Sequence, residues 1–162
     1  MAHGDLPPDG EPRTLVAVFA SPVAVHLLHF GRDLGYRTVL VEPASDLRVA
    51  AAHADHLAAA ALESFVDATA DVVVADHDRP ELGHVLRDVL ALPARWVGVM
   101  GSPRHTAPHL AALRELGVAE ADIARVHRPI GLNIGSHTPP EIAIATLAGL
   151  IADRNGRPGG FY

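Results

Sequence analysis

The chain has 162 residues, about one domain's worth, with 49% hydrophobic residues and a formal charge of −6. That content is enough to bury a core, and the acidic balance disfavours a general nucleic-acid or membrane surface. Cysteine is absent, so these residues make no disulfide, thiolate metal site, iron–sulfur cluster or cysteine nucleophile. Residues 1–13 (MAHGDLPPDGEPR) are acidic and proline-rich and read as a flexible leader rather than a signal peptide. Thr14–Phe19 (TLVAVF) is a short apolar run suited to a buried strand. Val23–Leu34 has helical spacing and stops at Gly35. Arg37–Val41 is a second strand, closed by Glu42 and Pro43, and alanine-rich Leu47–Phe65 is helical in pattern. Asp71–Ala75 is a third strand, Pro80–Leu90 a helix, and Arg95–Met100 a fourth strand. Pro103–Leu116 and Glu120–Val126 are further helices. Pro140–Asp153 is the last, with Ile142, Ile144, Leu147, Leu150 and Ile151 as its core residues. Residues 157–162 read as a flexible tail. No apolar run is long enough to span a bilayer, and a cytoplasmic location is expected.

Apolar strands alternating with helices predict parallel βαβ units. The expected fold is α/β, a three-layer, Rossmann-like open parallel sheet, doubly wound, over residues 14–156. Ligands of such sheets sit beyond the carboxyl ends of the strands, so the loops there carry the candidates. The first turn, FASPVAVHL, lacks the G-x-G-x-x-G that lets a backbone approach a pyrophosphate. Ser21 and Pro22 fit the N-cap and first position of a helix instead. Glu42 ends the second strand, where an acid can accept hydrogen bonds from a ribose. Asp76, His77 and Asp78 follow the third strand and suit either proton transfer or a polar turn. Gly101, Ser102, Pro103 and Arg104 combine a tight strand exit, an N-cap and a guanidinium in a first helical turn, which suits an anion. His105 and His109 are spaced i, i+4, and His53 and His56 lie close in sequence. Both sets read as exposed helix histidines, and no metal site is expected. In HRPIGLNIGSHTPPEIAIA, Thr138 to Glu141 is a capping box. The upstream Gly131, Asn133 and Gly135 suggest a ligand-facing loop.

The segments WVGVMGSPRHTAPHLAALRELGV and HRPIGLNIGSHTPPEIAIA, together with VVVADHD, resemble the C-terminal Rossmann domain of the XdhC/CoxI family, the xanthine dehydrogenase accessory factors. The resemblance runs from about Thr14 to Gly156 and is most specific from Val72 onward. It implies an accessory and maturation role for molybdenum hydroxylases: binding molybdenum cofactor (molybdopterin) or a related nucleotide, supporting its sulfuration and inserting it into the apo-enzyme. Carried over to this sequence, Gly101, Ser102 and Arg104 match the family's GS-x-R loop, and His77 and Asp78 its His-Asp pair. Pro129, Ile130, Gly131, Gly135, Thr138, Pro139 and Glu141 match its last motif. Arg104 and backbone amides would then hold a phosphate, and Asn133 and Asp78 would read the heterocycle. Asn133 stands where the family has Asp, and Asp76 where it has Thr. Full-length members also carry a cysteine-bearing N-terminal domain, so a separate protein of that type is an expected partner, beside the hydroxylase apo-enzyme and a second copy of this chain.

Two other functions compete. An NAD(P)-dependent oxidoreductase would need a glycine fingerprint and an acid–base pair, and the sequence offers neither. A non-catalytic interaction subunit would agree with the altered first turn. No catalytic residue is assigned, and the expectation is an accessory protein without turnover of its own.

Overall fold

Every strand among the described residues pairs in parallel, so none needs a polar face and all can be apolar throughout. The computed structural model describes residues 13–44, 56–58, 62–101 and 107–161. Six strands, β1 (Thr14–Val18), β2 (Arg37–Val41), β3 (His56–Ala58), β4 (Ala70–Val74), β5 (Trp96–Val99) and β6 (Val126–His127), lie in the order β3-β2-β1-β4-β5-β6. All five adjacent pairs are parallel. This is the doubly wound Rossmann order, reversing direction between β1 and β4. The helices described are α1 (Pro22–Asp33), α2 (Leu82–Leu90), α3 (Pro108–Glu115), α4 (Glu120–Ile123) and α5 (Pro139–Arg154).

Side chains of a strand alternate between faces, and here the alternation divides the core in two. Leu15, Ala17, Leu40 and Val73 pack with Leu27 and Leu28 of α1 and with Ala143, Leu147 and Leu150 of α5. Val16, Val18, Val39, Val72, Val74, Val97 and Val99 pack with Leu86 and Val89 of α2 and Leu113 of α3. At Gly98 a Cβ would collide with the Trp96 ring and with Ile130. Those two side chains cover the strand where it has no side chain of its own.

Several elements depart from the sequence reading. Within Leu47–Phe65 the described residues are β3, paired with Val39–Val41 of β2, and a 3₁₀ turn at Leu62–Ser64. Backbone pairing to an open sheet edge overrides alanine's helix preference there. Helix α4 stops at Ile123, and Val126 and His127 form β6 instead of a last helical turn. On α5, Ile144 is 52% exposed, and the buried stripe is Ala143, Leu147 and Leu150. The leader up to residue 12, His53 and the Pro103–Thr106 part of the expected helix lie outside the described residues. Of the tail, Gly159 rests against the side chain of Leu132.

The amino-end edge of the sheet is tied by one fully buried carboxylate, Asp71. Arg95 Nε donates to its Oδ1 at 2.6 Å and Arg154 Nε to its Oδ2 at 3.0 Å. The Tyr36 hydroxyl also lies 3.3 Å from Oδ2. Arg154 further bonds the Thr69 carbonyl, and Arg95 bonds Asp153 on α5. Burial and the neighbouring Asp71 charge push the Tyr36 hydroxyl above its ordinary pKa. Three segments distant in sequence therefore converge on one charge. Removing that charge strands two arginines in a low-dielectric edge. Asp71→Asn is expected to cost about 3 kcal/mol in urea denaturation. Asp153→Asn, at an exposed partner, is expected to cost under about 1 kcal/mol. Equal losses for the two variants would show that the buried end does not hold the edge.

Candidate functional site

The carboxyl ends of the strands form a rim whose order follows from the sheet: Glu42 after β2, Ala20 after β1, His77 after β4, Gly101 after β5 and Arg128 after β6. At its first turn, Ser21 caps α1 by accepting a bond from the Ala24 amide at 3.1 Å, with Pro22 in the first helical turn. Phe19, just before it, is buried with a φ of 72°. Such a conformation costs a non-glycine residue about 1–3 kcal/mol and persists only where its surroundings enforce it. Here the Phe19 amide donates to the Val41 carbonyl, and the Arg79 guanidinium lies 4.4 Å from the ring centroid.

That guanidinium belongs to a cage around Glu42, whose side chain is wholly buried. Arg79 Nη1 and Nη2 donate to the carboxylate at 3.1 and 2.8 Å. The Ala20 amide donates to Oε2 at 2.6 Å and the Ala44 amide to Oε1 at 2.9 Å. Burial alone would raise the Glu42 pKa, but the bonds from Arg79, Ala20 and Ala44 outweigh it and hold the carboxylate below its ordinary value. The same pairing raises the pKa of Arg79, which also reaches Glu81. A ribose or phosphate at this turn would meet donors already committed to Glu42. Arg79 is the residue the sequence reading missed. It lies 37 positions from its partner, and nothing local marks the pair.

After β4, the Asp76 carboxylate accepts a bond from the Asp78 amide at 2.9 Å, forming a tight polar turn. His77 Nε2 lies 3.6 Å from Asp78 Oδ1, beyond hydrogen-bond length, and Asp78 is 85% exposed. Asp78 stands open to solvent, while His77 is half-buried. After β5, a Cβ on Gly101 would fall 2.6 Å from the Arg128 guanidinium, so the missing side chain admits the cation onto the strand-end backbone. Ser102 and Arg104 lie outside the described residues.

His109, expected on an exposed helix face, is 4% exposed, because α3 turns that side onto α4 and β6. Its burial, and then the charge of Arg128, hold the imidazole pKa below its ordinary value. Its Nδ1 has no hydrogen-bond partner among the described residues. Among those residues, no group of three potential metal ligands comes together.

The loop from Arg128 to Thr138 divides into two parts. Gly131, at φ 86°, lies so close to α5 that a Cβ would fall 3.1 Å from the Ala145 carbonyl carbon. The next amide, of Leu132, donates to the Ala145 carbonyl at 3.0 Å. Packing against the helix thus accounts for the first glycine. Gly135, at φ 70°, faces open space, and Asn133 and Ile134 beside it are exposed. The helix end closes on itself. Glu141 accepts bonds from the His137 and Thr138 amides, while Pro139 and Pro140 have no N–H to offer. These bonds hold the Glu141 pKa below its ordinary value. An anion at the start of α5 would therefore meet a carboxylate.

The XdhC Rossmann domain matches residues 15–150. The chain belongs to that family. The uncharacterized protein YqeB of Escherichia coli (strain K12) is 40% identical over 110 residues, covering 67% of this chain and 20% of YqeB. A solved structure, a xanthine dehydrogenase from Bacillus halodurans, superposes with a TM-score of 0.72 at 21% identity over 90% of this chain and 44% of that one, a likeness of fold. The chain thus spans a fifth of the length of its curated relative. No helix among the described residues is long and apolar enough to cross a membrane.

The cage has a pH signature. Glu42 is held below its ordinary pKa in the folded state, so its stabilisation is complete above the unfolded carboxylate value of about 4.3 and fades as pH falls through the lower folded value. Glu42→Gln should cost about 3 kcal/mol at neutral pH. In denaturant titrations its deficit against the parent protein should be constant above about pH 5 and shrink on acidification. A deficit independent of pH down to acid unfolding would rule out an ionised Glu42.

Proposed function

We propose that this domain is an XdhC-type accessory protein that binds molybdenum cofactor, or a related nucleotide, at its strand-end rim and hands it to a molybdenum hydroxylase apo-enzyme. Membership of the XdhC Rossmann family is the observation that carries this reading. The rim geometry adds to it by distinguishing two ends. Around β1 and β2 the residues do not fit a pyrophosphate, because the Ala20 amide and Arg79 are taken by Glu42 and Pro22 has no N–H. Around β5 and β6 they fit an anionic group better. Gly101 leaves room for the Arg128 guanidinium over the strand-end backbone, and Asn133 presents an exposed amide with both donor and acceptor.

On this reading Arg128, with Arg104 and Ser102, holds the phosphate end of the cargo. Asn133 and Asp78 pair with the edge of the pterin, and His77 is placed to exchange a proton beside them. The metal chemistry belongs to the enzyme that receives the cargo. A cysteine-bearing protein of the XdhC N-terminal type and a second copy of this chain are the proposed further partners. An NAD(P)-dependent oxidoreductase is the weaker alternative, since the turn that would receive the dinucleotide is filled from within.

Mass spectrometry of protein purified natively from cells that make molybdenum cofactor tests the proposal. A phosphorylated pterin is expected to be retained. It should be lost in Gly101→Val, which displaces Arg128, and in Asn133→Ala, an exposed change that leaves the core intact. A retained nicotinamide dinucleotide, or a parent protein free of pterin, would overturn it.

A further inference from the structure

Helix α5 turns an uncharged side to solvent. The outer side of a helix packed on a sheet normally carries charge. The other described helices follow that rule: Arg32 and Asp33 on α1, Arg87 and Asp88 on α2, Arg114 and Glu115 on α3, and Glu120 on α4 are all exposed. In α5 the stretch from Ile142 to Ala152 (IAIATLAGLIA) holds no charged residue. Its one polar side chain, Thr146, is buried, and the hydroxyl donates to the Ile142 carbonyl at 2.9 Å. The sheet core covers one side of the helix through Ala143, Leu147 and Leu150. The loop at Gly131 covers another, lying against Ala145 and Gly149. By helical periodicity the remaining side runs through Glu141, Ile144, Ala148, Ile151, Ala152 and Asn155. Ile144 is 52% exposed there, and Ala148, Ile151 and Ala152 are partly exposed.

A single exposed isoleucine is ordinary, but a run of helix turns with no charge on the outer side is the mark of a covered face. The pattern on this side is self-complementary, as a two-fold interface requires. Ala148 lies midway between Ile144 and Ala152, and midway between Glu141 and Asn155. A second α5 crossing antiparallel at Ala148 sets each Ile144 against the other copy's Ala152, a bulky side chain against a small one. The two alanines at the crossing let the helices approach closely. The charges at the ends match as well. Glu141, whose described bonds come from the His137 and Thr138 amides, falls near the other copy's exposed Arg157. Such a pair at the rim fixes orientation more than strength. A parallel crossing would instead set glutamate against glutamate. We propose that α5 is the interface between two copies of this chain, packed antiparallel about Ala148. A helix face about 20 Å long is at the low end of interface sizes, so association in the micromolar range is expected. This gives a surface to the second copy among the proposed partners and rests on no part of the cofactor reading.

Sedimentation and cross-linking of the full chain test the proposal. The parent protein should form dimers that dissociate on dilution into the low micromolar range. Ile144→Asp changes an exposed position and leaves the core in place. It should be folded by circular dichroism and self-associate about tenfold more weakly or worse. The chain has no cysteine, so one introduced residue reports on its own counterpart alone. Under mild oxidation Ala148→Cys should cross-link, because the crossing brings the two positions within disulfide reach. Ile144→Cys, whose counterpart lies about 12 Å away along the helix, should cross-link much more slowly. The two cysteine variants decide alone if Ile144→Asp is unfolded. A parent chain monomeric up to about 1 mM, undiminished association of folded Ile144→Asp, or cross-linking of Ile144→Cys as fast as that of Ala148→Cys would overturn the proposal. Whether the purified protein retains a pterin leaves these outcomes as they are.

Discussion

A carboxylate taken wholly out of water needs donors on both oxygens, or it does not stay charged. Glu42 finds four: two from Arg79 and one each from the Ala20 and Ala44 amides. This cage ties β2 to the exits of β1 and β4 and fixes Arg79 over Phe19. It also occupies the Ala20 amide and the Arg79 guanidinium at the first turn. In a dinucleotide-binding sheet the first turn offers its amides to phosphate and the acid after the second strand takes the ribose. Here the acid bonds the turn instead, and both positions are used up in holding the fold.

The polar groups left at the carboxyl edge lie on the other side of the switch point. Asp78 stands open beside a half-buried His77 after β4, Gly101 admits Arg128 after β5, and Asn133 and Gly135 face solvent beyond β6. Asp71, at the opposite edge, gathers Tyr36, Arg95 and Arg154 into a clamp. The two edges therefore divide the labour. One is cross-linked by buried charge at Asp71, and the other carries the Glu42 cage at one end and exposed polar residues at the other.

What could be read in advance follows from how local each signal is. Arg37–Val41 and the TPPE helix start were legible because a valine run and a capping box announce themselves within a few residues. The edge strand β3 was not, since alanines with no local turn signal favour a helix until β2 offers them an edge. The two-residue β6 is too short to leave a pattern. Gly131 was legible as a special backbone position, but its cause, contact with α5, is tertiary. The burial of His109 and the pairing of Arg79 with Glu42 depend on elements that meet only in the folded chain. Ser102 and Arg104 were legible as a motif, while their geometry lies outside the described residues.

On the proposed function, ligands approach the β5–β6 end of the rim and not the β1 turn. Amide-resolved NMR of the labelled chain titrated with a phosphorylated pterin, and separately with NAD, addresses it most directly. The account predicts that the pterin shifts the Gly101, Asn133 and Gly135 amides while the Ala20 and Ala44 amides, held by Glu42, stay in place with either compound. Saturable movement of the Ala20 amide with NAD, with Gly101 unmoved by the pterin, would contradict it.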